Sequence, residues 1–328
     1  MNITYILGNG FDKAIGLNTG YREFLDSYCK KKNNDYKYSE LINAMKEDIE
    51  ANRELWSDLE ITLGKYTSKF DNYKDFYAVY KDLNHELRNY LFEQQSRIGK
   101  DVQVSRDIFI RRLSSFTDFL EYADSVQIQG NLLNRNHDVH IISLNYTNSV
   151  EQILGLKNST LSTSLYLSNN CNLCSINHIH GTLDKAIIMG VSEIDQITNE
   201  KLQKDSHIMD FLYKPQTCAN TKNLVDRRCS NLLNQTDMLI LYGVSLGASD
   251  NYIWKKVGKL FSKENFKMIL FNYNPLLDFE LDPWERTWEE GYIRKSFLEH
   301  AGIGGKEIER YENKITIGFN KPIFNFKK

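Results

Sequence analysis

The sequence lacks any long apolar stretch. No window reaches the roughly 18 or more apolar residues that a membrane-spanning helix requires. The first residues contain no basic segment followed by an apolar stretch and a small-residue cleavage site, so we expect no signal peptide. Proline (4 residues) and glycine (18 residues) leave little room for long structureless linkers in a chain of 328 residues. We therefore expect a cytoplasmic protein without a membrane partner.

Cysteine and net charge are also low. Five cysteines make an odd number in a chain too large to need disulfides, which is typical of a reducing compartment. Cys171 and Cys174 form a C-x-x-C pair, but ten residues separate Cys218 from Cys229. This spacing does not match a zinc ribbon, and we expect no structural zinc. A net charge of −2 provides no field for non-specific nucleic-acid binding, so nucleic acid is not an expected partner.

What the sequence does contain is a globular composition in which strand and helix patterns alternate. Hydrophobic residues make up 41% and charged residues 26%, enough for a sizeable core. The apolar run Ile3–Leu7 is followed by a glycine turn and by helical spacing over Lys13–Tyr28, which is how a doubly wound fold begins. Further strands are predicted at Val139–Leu144, His178–His180, Ile187–Met189, Met238–Tyr242 and Met268–Asn272, with a weaker edge strand within Ile315–Phe326.

A long segment between the first strand and the later ones has a different pattern. Apolar residues there recur three and four apart, as in amphipathic helices. We therefore predict an α/β fold whose Rossmann-like (sirtuin-like), mostly parallel sheet is formed by residues 1–28 and 136–328, with a large helical insertion at residues 29–135. Trp56 and Glu60 are predicted to share one face of a helix in this insertion. Either Trp56 packs in the core and Glu60 lies at the surface, or this helix closes over the sheet edge, where Trp56 shields a nucleotide and Glu60 contacts a sugar hydroxyl or water.

The glycine-rich segment after the first strand is the most informative local signal. Gly8 and Gly10 permit a tight turn and close approach to a phosphate, and the next helix directs its N-terminus at the anion. Asn9 and Phe11 belong to the same loop. Asp12 is repelled by a diphosphate unless it contacts a ribose hydroxyl or a metal, or caps the helix. A tight turn without a ligand explains the motif equally well.

Two later strand ends carry residues suited to chemistry. Asn145 follows a predicted strand and can hold a water or a sugar hydroxyl, although it can also cap the helix predicted at Ser149–Leu154. His178 and His180 face the same side of an extended strand, and one of them is expected to be structural. His180, beside Gly181, is the better candidate for acid–base catalysis.

Two more strand ends supply polar side chains. Gly243, Ser245 and Asp250 follow the run that ends at Tyr242, and Asn272 ends the next strand. Each segment alone contains only residues that are common in turns. Because parallel strands place their carboxyl ends at one edge of a sheet, we expect these loops to converge on one pocket.

These segments, in this order, resemble the AbiH family of bacteriophage abortive-infection proteins over nearly the whole chain. More distantly they resemble the sirtuin-like superfamily, in which glycine loops, an asparagine motif and a His-Gly pair surround NAD. The second resemblance implies that Gly8, Gly10, Gly243 with Ser245, and Asn272 bind NAD, and that Asn145 and His180 lie at the reacting ribose. The motifs are Gly8-Asn9-Gly10-Phe11-Asp12 with Gly16-Leu17, Trp56-Ser57-Asp58-Leu59-Glu60, Leu144-Asn145-Tyr146-Thr147, His180-Gly181 and Gly243-Val244-Ser245-Leu246-Gly247.

The first functional hypothesis is an anti-phage effector that hydrolyses NAD to nicotinamide and ADP-ribose. The diphosphate would be anchored at Gly8–Gly10, with Asp12 and Asp250 among the binding residues. Asn145 would orient the ribose or the attacking water, and His180 would act as base. Glu60 is the third catalytic candidate. A homo-oligomer or a defence partner protein is compatible with this role.

Two alternatives stay open. A nucleotide-binding sensor or partner module without turnover is suggested by Thr147, which stands where the sirtuin pattern has an acidic residue, and by Asp12, where that pattern has a small hydroxyl residue. A metal-dependent nuclease or phosphohydrolase requires that Asp12, Asp58, Glu60 and Asp250 meet around a metal ion.

Overall fold

The computed structural model describes residues 1–31, 38–133, 135–156, 161, 163–168, 170–220, 224–275, 283–321, 323, 324 and 326. Within them the chain is an α/β protein with one seven-stranded sheet. The strands are β1 (Asn2–Leu7), β2 (His137–Ser143), β3 (Leu165–Ser168), β4 (Cys171–His178), β5 (Met238–Tyr242), β6 (Lys267–Asn272) and β7 (Ile315–Phe319). The helices are α1 (Asn9–Ile15), α2 (Tyr21–Lys30), α3 (Ser39–Ala51), α4 (Leu59–Tyr66), α5 (Tyr73–Gln95), α6 (Arg106–Ser114), α7 (Tyr122–Leu132), α8 (Ser149–Leu154), α9 (Glu200–Gln203), α10 (Ser206–Leu212), α11 (Lys214–Asn220), α12 (Val225–Gln235), α13 (Asn251–Gly258), α14 (Pro283–His300) and α15 (Lys306–Tyr311).

The sheet order places β1 at the centre. The strands run β3-β4-β2-β1-β5-β6-β7, and every neighbouring pair is parallel except the antiparallel pair β3–β4. After β1 the chain builds outward through β2 to β4, then returns to the other side of β1 at β5. In open parallel sheets, the crevice outside the carboxyl ends at such a reversal is where ligands bind.

Helices cover both faces of the sheet. On one face Tyr5 of β1 packs edge-on against Phe116, and its hydroxyl donates to the carbonyl of Leu113 at 2.8 Å. On the other face Ile6 of β1 shares a buried cluster with Trp254 of α13. Successive side chains of β1 therefore enter opposite cores, as expected of a strand buried on both faces. Within the described ranges, no helix is long and apolar enough to cross a membrane.

A third core, the helical cluster, is formed by buried residues of α2–α5 and α10 and by the loops that follow β2 and β4. Trp56 and Phe76 lie at its centre, and Tyr146 and Met189 join it from the loops. The helical cluster is therefore attached to the carboxyl edge of the sheet. The division into a core and an insertion at residues 29–135 stays a prediction, since α6 of that segment packs directly on the sheet face.

Most of the predicted strands are confirmed, but Ile187–Met189 is not a strand. These residues belong to the helical cluster, where the carbonyl of Met189 accepts a hydrogen bond from the Tyr80 hydroxyl at 2.9 Å. A short apolar run does not distinguish burial under helices from burial in a sheet. The edge strand predicted within Ile315–Phe326 is confirmed as β7.

The strand predicted at His178–His180 is also placed wrongly. β4 begins at Cys171 and ends at His178, and Gly181 then takes a left-handed φ of +80°. His178 and His180 therefore do not share one face of a strand. The early part of β4 is rich in asparagine and serine, which weakened its apolar signal.

The single helix predicted over Lys13–Tyr28 is two helices. α1 ends at Ile15 because Gly16 adopts a left-handed φ of +102° and its amide caps the last turn. The chain then turns before α2 begins at Tyr21.

Candidate functional site

A cavity of about 300 Å³ opens at the carboxyl edge of the sheet, between the loops that follow β1, β2 and β5. Residues from α2, α4 and α5 close it from the side of the helical cluster. Four predicted site residues do not line it: Gly10, Phe11, Gly243 and Asn272. The predicted site residues that do line it are Gly8, Asn9, Asp12, Glu60, Asn145, His180, Ser245 and Asp250.

The glycines after β1 and β5 bring two loops into backbone contact. A Cβ atom on Gly10 would lie 2.5 Å from the Cα of Gly243, and one on Gly8 would lie 2.6 Å from the carbonyl oxygen of Gly243. The amides of Gly8, Gly10 and Phe11 donate to the carbonyls of Tyr242, Gly243 and Gly8. A phosphate bound at these amides would have to displace those bonds. The glycines serve close packing of the two loops.

Gly10→Ala is therefore expected to lower the free energy of unfolding by about 2 kcal/mol or more, because its methyl group meets backbone atoms. The matched control is Gly130→Ala in α7, where a Cβ meets no heavy atom within 4 Å. Removing a helical glycine there should stabilise by up to about 1 kcal/mol. Urea unfolding compares the two variants, and equal effects would contradict the packing role of Gly10.

A buried lysine that the sequence analysis missed organises one wall of the cavity. Lys214 is 1% exposed, and its ammonium donates to Glu60 Oε2 at 2.8 Å, to Asp250 Oδ1 at 2.8 Å and to the carbonyl of Ser249 at 3.1 Å. All three ammonium protons are therefore used. This ion cluster (Glu60, Lys214 and Asp250) joins α4, α11 and the loop after β5.

The pKa values of the two carboxylates of the ion cluster are shifted in opposite directions. Burial raises the pKa of Glu60 to about 7, against the opposing charge of Lys214. Its Oε1 also accepts from the amide of Gly190 at 3.1 Å. Burial likewise opposes ionisation of Asp250, but the charge and hydrogen bond of Lys214, together with the neighbouring His180, outweigh it and lower the pKa of Asp250.

His180 is held as a neutral imidazole beside the ion cluster. Burial, together with the charge of Lys214, lowers the pKa of His180 to about 4. The ring Nδ1 lies 3.3 Å from the carbonyl oxygen of Leu144, and Nε2 lies 3.2 Å from the Tyr252 hydroxyl and 3.3 Å from Asp250 Oδ1. His180 therefore links the ion cluster to Tyr252 and to the loop after β2.

Asp12 and Asn145 meet on the opposite wall. Asp12 is 1% exposed, and its Oδ2 accepts from the Thr147 hydroxyl at 2.6 Å. The Asn145 side-chain amide donates to the carbonyl of Gly8 at 3.1 Å. Burial raises the pKa of Asp12 to about 6, although the hydrogen bond from Thr147 and the neighbouring polar side chains of Ser149 and Asn145 oppose this rise. Asn145 therefore ties the loop after β2 to the loop after β1.

The raised pKa of Asp12 gives a pH-dependent prediction. Because the pKa rises from 3.8 to about 6 on folding, the folded state binds the proton more tightly, and stability falls as pH rises through that window. The shift of about two units corresponds to about 3 kcal/mol at neutral pH. Asp12→Asn should therefore be more stable than the wild type near about pH 7.5 and close to it near about pH 4.

Denaturant unfolding at both pH values tests this expectation. The control is Asp118→Asn, whose side chain is exposed. His178 also titrates near Asp12, and its pKa is raised by Glu151 in spite of burial, so the difference between wild type and variant is the quantity to compare. A stability difference that does not change with pH would contradict a buried, titrating Asp12.

The comparison with known families settles the affiliation of the chain. The model of the family described as Bacteriophage abortive infection AbiH matches residues 4–273. The chain belongs to the AbiH family. The resemblance given by the motifs is thus confirmed, and the family is one of phage abortive infection. No curated protein matches the chain.

The Trp56 and Glu60 pair of this AbiH protein does not share a helix. Leu55–Ser57 forms a 3₁₀ turn, and Asp58 caps α4 by accepting from the amide of Ile61 at 3.2 Å. Trp56 is fully buried in the helical cluster, and its indole N–H donates to Asp48 at 2.9 Å. Trp56 therefore packs inside the helical cluster and does not shield a ligand. The expectation that Glu60 is a surface acid is wrong, since it is 4% exposed and lines the cavity.

The four carboxylates considered for a metal site in the AbiH protein all line the cavity. Two of them, Glu60 and Asp250, are bridged by the Lys214 ammonium rather than left free as ligands. Within the described part of the chain, no group of three or more His, Cys, Asp or Glu side chains is arranged to hold a metal ion. Within the described part of the chain, Cys171 and Cys174 on β4 form no disulfide bond, and neither do Cys218 and Cys229.

Asn272 lies at a second cavity of about 350 Å³, between the loops after β5 and β6 and α14. Tyr273 and Tyr292 also line this cavity. Ser245 lines both cavities, so the loop after β5 separates them. Of the predicted binding residues of the AbiH protein, Asn272 lines only this second cavity, whereas Gly10, Phe11 and Gly243 line neither.

Proposed function

We propose that this AbiH protein is an anti-phage effector that binds NAD at the cavity and hydrolyses it to nicotinamide and ADP-ribose. The observation that carries the proposal is the position of the cavity. Without the antiparallel edge strand β3, the sheet order is β4-β2-β1-β5-β6-β7. This is the order of the Rossmann dinucleotide-binding sheet, and the cavity lies at its point of reversal.

The charge of the cavity supports binding of one end of NAD in particular. Asp12, Asp58, Glu60 and Asp250 line it, and Lys214 is the cation paired with two of them. Such a cavity repels a diphosphate but favours the cationic nicotinamide ring. Carboxylates also stabilise the oxocarbenium-like transition state of glycosidic cleavage. We therefore place the nicotinamide ribose in the cavity and the diphosphate outside it.

The proposed reaction breaks the bond between the ribose C1′ and the nicotinamide nitrogen, and nicotinamide leaves with the electron pair. Water then adds to C1′ and gives up a proton. Asn145 would orient the ribose or this water. His180 would accept a hydrogen bond, although its lowered pKa makes it a weak base at neutral pH. Glu60, with a pKa raised to about 7, is better matched to take the proton.

The two departures from the sirtuin pattern support a related site with exchanged partners. Asp12 replaces a small hydroxyl residue of that pattern, and Thr147 replaces an acidic residue. In this protein the Thr147 hydroxyl donates to Asp12 at 2.6 Å. The two positions that depart from the sirtuin pattern are thus in direct contact in this protein.

Purified protein tests the proposal directly. Calorimetry with NAD, ADP-ribose and ATP measures binding, and chromatography of NAD incubated with the protein and a phage-infected lysate measures nicotinamide release. We expect NAD and ADP-ribose to bind and nicotinamide to appear only with the protein. Binding without product would favour a sensor without turnover. NAD that neither binds nor is cleaved would refute the proposal.

A further inference from the structure

Asp12 has one carboxylate oxygen that the fold leaves unused. The side chain is 1% exposed and lines the cavity. Oδ2 accepts from the Thr147 hydroxyl, whereas Oδ1 has no hydrogen-bond partner and almost no contact with solvent. Buried polar atoms are nearly always paired in folded proteins, so an unpaired carboxylate oxygen at a cavity wall requires an explanation.

The hydrogen bonds that lead from Ser149 through Thr147 to Asp12 fix Asp12 as a hydrogen-bond acceptor. The Ser149 hydroxyl donates to Thr147 Oγ1 at 3.0 Å, and the Thr147 hydroxyl in turn donates to Asp12 Oδ2. Thr147 has a single hydroxyl proton, which this arrangement commits to Asp12. The hydrogen bonds from Ser149 to Thr147 and from Thr147 to Asp12 therefore hold Asp12 as an acceptor. Its Oδ1 is the oxygen that has no hydrogen-bond partner.

Asp12 lies in the first turn of α1, where a carboxylate favours the helix dipole, but its other contacts with the fold are few. No Lys, Arg or His side chain in the described ranges forms an ion pair with it. His178, whose charge lowers the pKa of Asp12, pairs with Glu151 at 2.8 Å instead. No side chain caps α1, so Asp12 does not act as a helix cap. A buried carboxylate without a cation or cap lowers stability, which suggests that it is retained for a ligand.

We propose that Asp12 Oδ1 accepts a hydrogen bond from a hydroxyl of the ligand's terminal ribose, so that Asp12 selects ligands that carry this sugar. The proposal rests on the nucleotide site proposed above. Ribose hydroxyls are donors, whereas phosphate groups offer no donor at neutral pH and are repelled by the carboxylate. Asp12 lies beside Asn145, to which the proposed function gives a role at the same sugar, and the four carboxylates that line the cavity disfavour a diphosphate there.

The test compares ADP-ribose with ADP, which differs by the absence of the terminal ribose and its phosphate ester link. Calorimetry gives the Kd of each ligand for the wild type, for Asp12→Asn and for Asp12→Ala. The wild type should bind ADP-ribose about 10- to 100-fold more tightly than ADP, the range for a hydrogen bond to a charged group. Both variants should reduce this ratio to within about threefold, with the Kd for ADP nearly unchanged.

Asp118→Asn, an exposed site in the same chain, is the control and should keep the wild-type ratio. If Asp12 has only a structural role, both variants should weaken the binding of ADP-ribose and of ADP by the same factor. That result, or a ratio of the two Kd values that stays unchanged in both variants, would overturn the proposal. The nucleotide site itself would still stand. If the wild type binds neither ligand, the nucleotide site itself is refuted, together with this inference.

Discussion

Lys214→Met is expected to lower the free energy of unfolding by about 3–5 kcal/mol. The methionine keeps the length of the buried side chain but removes the ammonium that pairs with Glu60 and Asp250. The buried Glu60 and the half-buried Asp250 then lack a counter-ion, and an uncompensated buried charge is far more costly than an exposed one. Urea unfolding followed by circular dichroism measures the change.

Two comparisons isolate the ion cluster as the cause. Lys204→Met, at an exposed position, should change stability by less than about 0.5 kcal/mol. The double variant Lys214→Met/Glu60→Gln should recover part of the loss, because the amide leaves one fewer buried charge. Similar stabilities of Lys214→Met and Lys204→Met would show that the ion cluster does not hold the cavity wall together.

Asn145→Ala is expected to lower the rate of NAD cleavage by about 100-fold or more, the usual scale for a group that positions the reacting atoms. Its side-chain amide donates to the Gly8 carbonyl, so the variant loses one neutral hydrogen bond, worth about 1 kcal/mol, and should stay folded. The initial rate of nicotinamide release measures activity, and calorimetry with ADP-ribose should show a Kd within a few-fold of wild type.

Asn43→Ala is the matched control, since Asn43 is exposed on α3. It should retain the wild-type rate. If Asn145→Ala and Asn43→Ala cleave NAD equally fast, Asn145 takes no part in the reaction.

The sheet could be predicted from the sequence because its central strands are short apolar runs that end in glycine or polar residues. β1 and β5 show this pattern clearly, and both lie where periodicity places them. Ile187–Met189 shows the same local pattern, yet it packs under helices. Local hydrophobicity indicates that a residue is buried but not whether a sheet or a helix covers it. A strand was therefore wrongly predicted at Ile187–Met189.

The convergence of the loops could also be predicted, since parallel strands place their carboxyl ends at one edge. Gly8, Asn145 and His180 therefore meet at the cavity, as expected from topology. Lys214 could not be found in this way. One lysine at the start of a short helix has no distinguishing pattern, and its burial depends on two acids that lie 154 residues before it and 36 residues after it.

In the sequence, Asp12 and Thr147 belong to two separate motifs with no visible relation. Their hydrogen bond spans 135 residues, so no local signal links them. Once they are seen together, they form one carboxylate–hydroxyl pair. The contact between Asp12 and Thr147 is therefore a feature of the site that only the structure reveals.

The measurement that tests the central claim most directly is the NAD content of cells during phage infection. Cells expressing the wild type, Asn145→Ala or neither are infected, and NAD and nicotinamide are quantified over the infection. We expect NAD to fall and nicotinamide to rise in infected cells with the wild-type protein, and both to stay at control levels with Asn145→Ala. Infection that is blocked by the wild type while NAD remains at the level of the variant would contradict this expectation.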